Sequence, residues 1–232
     1  RPHLRLRGQR GRLTRTFPKV RLPGGPEDLP KRGARTPGSP FSFSGPRQRG
    51  REVSEMRPFR PEPVIETPRL RLRAPRRSDA ARIATLCSDF EVARTPARLP
   101  HPYALADAEA FLASGDGLDP AREARFALEH PAEGLVGFLS FFDEPAPATE
   151  IGYWLGRPYW GAGLMTEAVT AALAWAARDW GRTHVRAWRL DENPASDAVL
   201  VKAGFLYTGE RRQTFVLSRG EFLPSRGMIW LA

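Results

Sequence analysis

The spacing of apolar and polar residues predicts seven strands and four helices, all of them after residue 64. The strand-like runs lie at about 65–73, 125–129, 134–142, 149–156, 184–190, 205–217 and 227–231, and the helical patterns at about 78–88, 105–114, 163–179 and 194–203. Along 164–178 the side chains of Leu164, Ala168, Ala172 and Trp175 recur with a helical period, which gives one apolar face. Strands that alternate with helices in this way predict one domain with a mixed sheet and helices on both faces.

The segment from Arg157 to Ala168 contains Gly161 and Gly163 between a predicted strand and a predicted helix. At such a junction the first helical amides have no backbone partner and the helix dipole favours negative charge, which is typical of a phosphate or pyrophosphate site. A glycine turn before a helix can also be only a turn, and this alternative stays open on the residues alone. The segment matches neither the P-loop nor the GxGxxG pattern and has no lysine, which argues against a site for the γ-phosphate of ATP.

Six segments carry a resemblance to a known family. They are TPRLRLR (67–73), PHPY (100–103) with AEAFL (108–112), GLVGF (134–138), EIGYWL (150–155), YWGAGLMTEA (159–168), and NPAS (193–196) running through KAGF (202–205). Taken in this order they resemble the GNAT superfamily of acyl-CoA N-acyltransferases, and more narrowly the branch that contains the ribosomal-protein N-terminal acetyltransferases. The resemblance runs from about Ile65 to the C-terminus.

This resemblance implies an α/β (α+β) fold with a mixed, mostly antiparallel central sheet of six to seven strands and about four flanking helices. It also implies an acetyl-CoA-dependent N-acetyltransferase, in which a primary amine attacks the thioester directly. The amine would belong to a protein N-terminus or a small molecule. The alternative is a catalytically silent acyl-CoA-binding or regulatory module of the same fold.

The resemblance places the pyrophosphate of acetyl-CoA on the amides of the turn and of the helix that follows it. The residues concerned are Trp160, Gly161, Ala162, Gly163 and Leu164, with Met165 and Thr166 opening the helix. The pantetheine arm pairs with the edge of strand 149–156, where that strand separates from strand 184–190. A backbone N–H among Tyr153, Trp154 and Leu155 stabilises the oxyanion, and Asn193 is shared between helix capping and a cofactor contact.

Two side chains are candidates for proton transfer. Glu150 begins the strand that faces the thioester and is the candidate base, because an ammonium must lose a proton before its nitrogen can attack. Its alternative role is a solvated carboxylate at the end of a hairpin. Ser196 is the candidate donor of a hydrogen bond to the leaving thiolate or the pantetheine, and its alternative role is to cap the first turn of its helix.

Two positions depart from the family pattern. Position 158, where the family has Gln or Arg before its glycines, is Pro158, and Arg157 stands one place early as a partial replacement. The tyrosine that many members use as general acid falls at Leu200. The acid role is then left to Ser196, to ordered water or to no residue.

The net charge of the chain comes entirely from residues 1–55. Residues 1–55 hold 14 Lys and Arg against 4 Asp and Glu, which accounts for the whole net charge of +10, whereas residues 56–232 hold 22 of each. With 8 Gly and 8 Pro and no sustained apolar period, residues 1–55 are expected to be a disordered tail. The tail is interpreted either as the product of a start site placed upstream of Met56 or as a real extension. Residues 56–232 form the predicted acetyltransferase domain.

The remaining composition narrows the class of protein. One cysteine, Cys87, excludes an internal disulfide framework, and its apolar neighbours predict a core side chain rather than a nucleophile. The four histidines have no ligand spacing, so no metal site is predicted. No apolar run is long enough for a signal peptide or a membrane span, and a cytoplasmic location is expected. Of the tryptophan side chains, Trp160 alone is predicted to contribute to a binding surface, because the others lie where core aromatics usually pack.

The partners expected from the sequence are acetyl-CoA and an amine acceptor, with no membrane, for a monomer or a homodimer. Nucleic-acid binding through the basic tail is a further hypothesis, and salt-dependent DNA binding by the full chain but not by residues 56–232 would support it. The acceptor itself is expected to lie between the two N-terminal helices, the loop around Pro96–Tyr103 and the hairpin 205–226. The sequence does not identify it.

A shortened chain that begins at Met56 is expected to keep its melting temperature and its affinity for acetyl-CoA, because the composition of residues 1–55 does not support a core. Differential scanning fluorimetry and a binding titration on both chains would check this. A drop of several degrees in the shortened chain would show that the tail packs on the domain.

Overall fold

The computed structural model describes residues 63–143 and 148–232. The strands in these ranges are β1 (Ile65–Glu66), β2 (Arg71–Arg73), β3 (Ala124–His130), β4 (Gly134–Asp143), β5 (Thr149–Leu155), β6 (His184–Leu190), β7 (Leu206–Val216) and β8 (Glu221–Leu231). The helices are α1 (Ala80–Cys87), α2 (Phe90–Ala93), α3 (Leu105–Ala113), α4 (Leu164–Arg178) and α5 (Pro194–Lys202), with 3-10 turns at Arg77–Asp79 and Arg157–Tyr159.

These strands form one sheet in the order β1-β2-β3-β4-β5-β6-β8-β7. Neighbouring strands are antiparallel except for the pair β5 and β6, which is parallel. The predicted mixed and mostly antiparallel sheet is therefore confirmed, with eight strands and five α-helices in the described ranges instead of six to seven strands and about four helices.

The additional elements have local causes. The predicted strand 65–73 is divided into β1 and β2 by a turn in which the Thr67 N–H donates to the Leu70 carbonyl oxygen and the Leu70 N–H donates to the Thr67 hydroxyl, each at 2.9 Å. The short helix α2 begins where the Asp89 side chain accepts a hydrogen bond from the Glu91 amide, as an N-cap does. The last strand begins at Glu221 instead of 227, because β7 and β8 pair along the whole hairpin.

Helices cover both faces of the sheet, as the alternation of elements predicts. On one face α4 and α5 contribute Ala168, Leu173 and Leu200 to a core that also contains Phe126 and Leu139 from the sheet. On the other face α1 and α3 pack Ile83 and Leu112 against Leu135 and Phe138. The two cores hold the central strands between them.

Cys87 lies in the second of these cores and is fully buried. Burial raises the pKa of its thiol to about 12, because a thiolate would lose its hydration there. The interpretation of Cys87 as a core side chain is confirmed.

The strands β5 and β6 share a single paired position, Glu150 with Arg186. On its other side β5 pairs with β4 from Thr149 to Leu155, and β6 pairs with β8 along its whole length. Each strand is thus held by its outer neighbour, and the two separate beyond Glu150. The sheet opens toward the end of β5, next to the start of α4.

The predicted tail 1–55 lies outside the described residues, as does the connection 144–147 between β4 and β5. In the part of the chain that the structure describes, no helix has the length and apolar character needed to cross a membrane.

Candidate active site

A cleft of roughly 1060 Å³ opens where β5 and β6 separate. One side is formed by the end of β5, by the glycine turn (Trp160–Gly163), by the start of α4 and by the start of α5. The other side is formed by the loop 94–100, by α3 and by β7. Every site residue predicted from the sequence lines this cleft except Ala162, namely Glu150, Tyr153, Trp154, Leu155, Trp160, Gly161, Gly163, Leu164, Met165, Thr166, Asn193 and Ser196.

The glycine turn has a backbone that favours glycine. Gly161 and Gly163 both have φ of 76°, a left-handed conformation that is costly for residues with a β-carbon. A β-carbon built on Gly161 would meet no described protein atom within 4 Å. The space above this glycine therefore faces the cleft, not the protein core.

The amides of the turn and the first turn of α4 are available to a ligand. The Trp160 N–H donates to the Arg157 carbonyl, and the regular helical pattern begins where the Glu167 N–H donates to the Gly163 carbonyl. Between them, from Gly161 to Thr166, no backbone N–H has a hydrogen-bond acceptor within the described ranges. These donors lie at the positive end of a helix of 15 residues, which is an anion-binding arrangement.

Trp160 connects the glycine turn to β5. Its indole Nε1 donates to the carbonyl oxygen of Leu155 at 2.7 Å, and the residue is 46% exposed. An exposed tryptophan fixed by its polar edge belongs to a binding surface rather than to a core.

The direction of the peptide groups along β5 separates the three predicted oxyanion donors. Gly156 donates its N–H to the Val136 carbonyl, toward β4. In an antiparallel strand the N–H and C=O of one residue point to the same side, and successive residues alternate. The N–H and C=O of Trp154 therefore also point toward β4, whereas those of Tyr153 and Leu155 point toward the opening beside β6. The Trp154 amide is thus poorly placed for an oxyanion, although its side chain lines the cleft.

A hydrogen bond between Tyr153 and Ser196 connects two elements on the same side of the cleft. Their hydroxyl oxygens are 2.9 Å apart, which links β5 to the first turn of α5. Burial raises the pKa of the Tyr153 phenol above its usual range, although the hydrogen bond with Ser196 acts in the other direction. The phenol stays protonated at neutral pH and remains a hydrogen-bond donor.

Asn193 has its capping role in the structure. Its side-chain oxygen accepts a hydrogen bond from the Ser196 amide at 3.0 Å, and Pro194 follows it as the first helical residue. Asn193 also lines the cleft, so its capping role is compatible with the predicted contact to the cofactor. The hydroxyl of Ser196 contacts Tyr153 instead of the backbone amides of its own helix.

Glu150 is 8% exposed, so the alternative of a solvated carboxylate is wrong. Its Oε1 lies 3.5 Å from Arg212 Nη2 on β7. The Arg212 guanidinium also lies 4.1 Å from the centre of the Trp188 ring, within the range of a cation–π contact. The position opposite Glu150 on β6 is Arg186, which pairs with Glu210.

The two departures from the family pattern have clear consequences. Leu200 borders the cleft from the core, but its aliphatic side chain carries no acidic proton, so this position supplies no general acid. Arg157 Nη1 lies 3.6 Å from an Asp89 oxygen, next to the start of α2. Arg157 is also not among the described residues that line the cleft, so its role as a replacement for position 158 stays a prediction.

Sequence reasoning missed three contributors to the site. Arg212 comes from the hairpin, and no spacing relates it to Glu150, 62 positions earlier. Arg69 and Thr67 come from the turn between β1 and β2 and contact Glu167 in the first turn of α4. The segment 67–73 carries part of the family resemblance, but its position in the sequence gives no sign of a contact with the glycine turn.

No group of three or more His, Cys, Asp and Glu side chains in the described ranges is placed to hold a metal ion.

Comparison with known proteins agrees with this architecture. A family model described as an acetyltransferase (GNAT) domain matches residues 69–206. This is more than half of the chain, and the chain therefore belongs to the GNAT acetyltransferase family.

Solved structures show the same fold at low sequence identity. RimJ of Mycobacterium smegmatis in complex with CoA-disulfide has a TM-score of 0.65 and 19% identity, over 74% of this chain and 88% of that one. Ribosomal-protein-S5-alanine acetyltransferase from Vibrio fischeri has a TM-score of 0.63 and 20% identity, over 72% and 96%. The microcin C7 self-immunity acetyltransferase MccE, in complex with acetyl-CoA and AMP, has a TM-score of 0.63 and 17% identity, over 72% and 94%.

Gly161→Val is expected to weaken acetyl-CoA binding by about ten-fold or more, because the new side chain would enter the space above the turn amides. The matched control is Gly220→Val in the turn between β7 and β8, where φ is 66° and the surrounding space is equally open. Both variants should lose similar stability from the left-handed backbone. Isothermal titration with acetyl-CoA separates them, and equal affinities in the two variants would show that the turn is only structural.

Proposed function

We propose that this chain transfers an acetyl group from acetyl-CoA to a primary amine, by direct attack of the amine on the thioester, in the cytoplasm. The observation that carries the proposal is the row of unpaired amides from Gly161 to Thr166 beside the opening between β5 and β6. These amides suit the two phosphates of the cofactor, and the open strand edge suits its amide-containing arm.

The donor side of the cleft would bind acetyl-CoA in an extended form. The backbone N–H and C=O groups of Tyr153 and Leu155 face the opening. There they can exchange hydrogen bonds with the pantetheine amides, as an added strand does. An N–H of the same edge is then available to the thioester oxygen, on which negative charge develops during attack. The Leu155 carbonyl is already held by Trp160, which fixes the end of the edge.

The reaction forms a bond between the amine nitrogen and the acetyl carbon and breaks the bond between that carbon and sulfur. One proton must leave the nitrogen and one must reach the sulfur if CoA departs as a thiol. We assign the first to Glu150, directly or through water, because it is the buried carboxylate at the start of β5. We assign the second to the hydroxyl pair of Ser196 and Tyr153.

The charges of the cleft favour an acceptor with a single amine over a polycation. Each acidic residue that lines the cleft has a described arginine within ion-pair distance or a capping role. The pairs are Glu91 with Arg94, Glu123 with Arg125, Asp143 with Arg122 and Arg182, Glu150 with Arg212, and Glu192 with Arg94 and Arg219, while Asp107 accepts from the Ala104 amide. The acceptor surface is therefore close to charge balance, and we propose a protein N-terminus or a small-molecule amine as the acceptor.

The direct test is the release of CoA thiol with a panel of amines and N-terminal peptides. Turnover that requires both acetyl-CoA and an amine supports the proposal. Binding of acetyl-CoA with no turnover across the panel would favour the silent module of the same fold, and no binding of acetyl-CoA would overturn both.

Glu150→Gln is expected to lower kcat by about a hundred-fold at neutral pH, the usual scale of general-base catalysis, with little change in acetyl-CoA affinity. The amide keeps the size of the carboxylate but cannot accept the proton. The defect should shrink as pH rises, because more of the acceptor is then already a neutral amine. Glu123→Gln is the control, since Glu123 also lines the cleft beside an arginine, Arg125, at 3.6 Å. Near-full activity of Glu150→Gln at all pH values would exclude the base role.

Ser196→Ala and Tyr153→Phe are each expected to lower kcat by about ten-fold, and the defect should persist at alkaline pH because neither hydroxyl acts on the amine. The double variant should be little worse than either single one, since the two hydroxyls form one hydrogen-bonded unit. Tyr207→Phe is the control, because its hydroxyl pairs with Asp197 and it does not line the cleft in the described ranges. Rescue of Ser196→Ala by alkaline pH would exclude the assigned role.

A further inference from the structure

Arg69 contacts the glycine turn although it is not among the described residues that line the cleft. Its Nη1 donates to the carbonyl oxygen of Ala162 at 2.7 Å. A β-carbon on Gly163 would lie 3.7 Å from its Nη2, so the guanidinium rests against the turn. Ala162 is also the one turn residue that does not line the cleft. Arg69 therefore holds the turn through a residue that does not line the cleft.

The hydrogen bond from Arg69 to the Ala162 carbonyl also orients the rest of the Ala162–Gly163 peptide. A peptide group is planar, so the N–H of Gly163 must point away from the carbonyl that Arg69 holds. Without that contact the peptide can rotate more easily, because Gly163, the residue on one side of it, tolerates a wide range of φ. One arginine thus selects the orientation in which this N–H faces the cleft.

The same guanidinium neutralises a carboxylate next to the proposed pyrophosphate site. Arg69 Nε and Nη2 each lie 2.7 Å from Glu167 Oε2, while Thr67 Oγ1 and the Arg69 amide donate to Oε1 at 2.7 and 2.9 Å. Glu167 lies in the first turn of α4. Burial would raise the pKa of Glu167, but the hydrogen bonds from Thr67 and Arg69 outweigh it and lower the pKa, so the carboxylate is charged at neutral pH. Both of its oxygens are engaged by the turn between β1 and β2.

We infer that Arg69 is a positioning residue for the acyl donor. It holds the Ala162–Gly163 peptide with its N–H toward the pyrophosphate and keeps the negative charge of Glu167 away from it. The inference rests on the proposed function, because it assumes that acetyl-CoA is the ligand of the glycine turn. It concerns only the half of acetyl-CoA that contains the pyrophosphate.

The experiment tests the two halves of the cofactor separately on the full chain. Arg69→Gln should raise the KM for acetyl-CoA and the inhibition constant of 3′-phosphoadenosine 5′-diphosphate by about ten-fold each, the scale of one charge-assisted hydrogen bond. The kcat at saturating acetyl-CoA should change less than about two-fold, because the reacting atoms lie at the other end of the cofactor. The kcat/KM for S-acetylpantetheine, which lacks the pyrophosphate, should stay unchanged.

Two further variants separate positioning from folding. Arg69→Lys keeps the charge but cannot contact Ala162 and Glu167 together with the planar fork of arginine, so it should recover only part of the affinity. Arg178→Gln removes the arginine of an exposed pair, Arg178 with Asp179, at the far end of the same helix, and should leave all of these constants unchanged.

Equal losses for S-acetylpantetheine and acetyl-CoA in Arg69→Gln would show that Arg69 supports the fold, and the inference would be wrong. Unchanged affinity for both fragments would also overturn it, while acetyl-CoA binding by the wild-type chain would leave the proposed function intact. A wild-type chain that does not bind acetyl-CoA would overturn the proposed function, and this inference with it.

Discussion

The separation of β5 from β6 is the constraint on which the candidate site depends. Each strand is paired along its outer side, β5 with β4 and β6 with β8, and the two share only the position of Glu150 and Arg186. An exposed strand edge inside a sheet leaves peptide groups without partners, which is unfavourable unless water or a ligand satisfies them. The cleft, the glycine turn and the hydroxyl pair of Tyr153 and Ser196 are all arranged around this opening.

Charge compensation is the second organising feature. Glu150 lies beside Arg212 in the cleft, and Glu167 lies beside Arg69 next to the glycine turn. A buried or half-buried carboxylate is costly without such a partner. In both pairs the arginine comes from a distant part of the chain, so both carboxylates depend on the folded sheet for their environment.

The order and type of the main elements could be predicted from the sequence, because the apolar periods of α4 and of the central strands are local signals. The glycine turn was predictable for the same reason, since Gly161 and Gly163 stand directly before an alanine-rich helix. Contacts between distant segments were not predictable in this way. The burial of Glu150 depends on β7, and the support of the turn by Arg69 spans 93 positions in the sequence. The division of the first strand was missed because a single threonine, Thr67, closes the turn by its own hydrogen bonds.

The two sides of the cleft differ in how they are assembled. The proposed donor side is largely one continuous stretch from Glu150 to Thr166, joined by the start of α5, whereas the proposed acceptor side brings together the loop 94–100, α3 and β7. A substitution in any of these segments changes the proposed acceptor surface and leaves the row of turn amides intact. A lineage of such proteins can therefore acquire new acceptors one mutation at a time while it keeps the same source of acetyl groups.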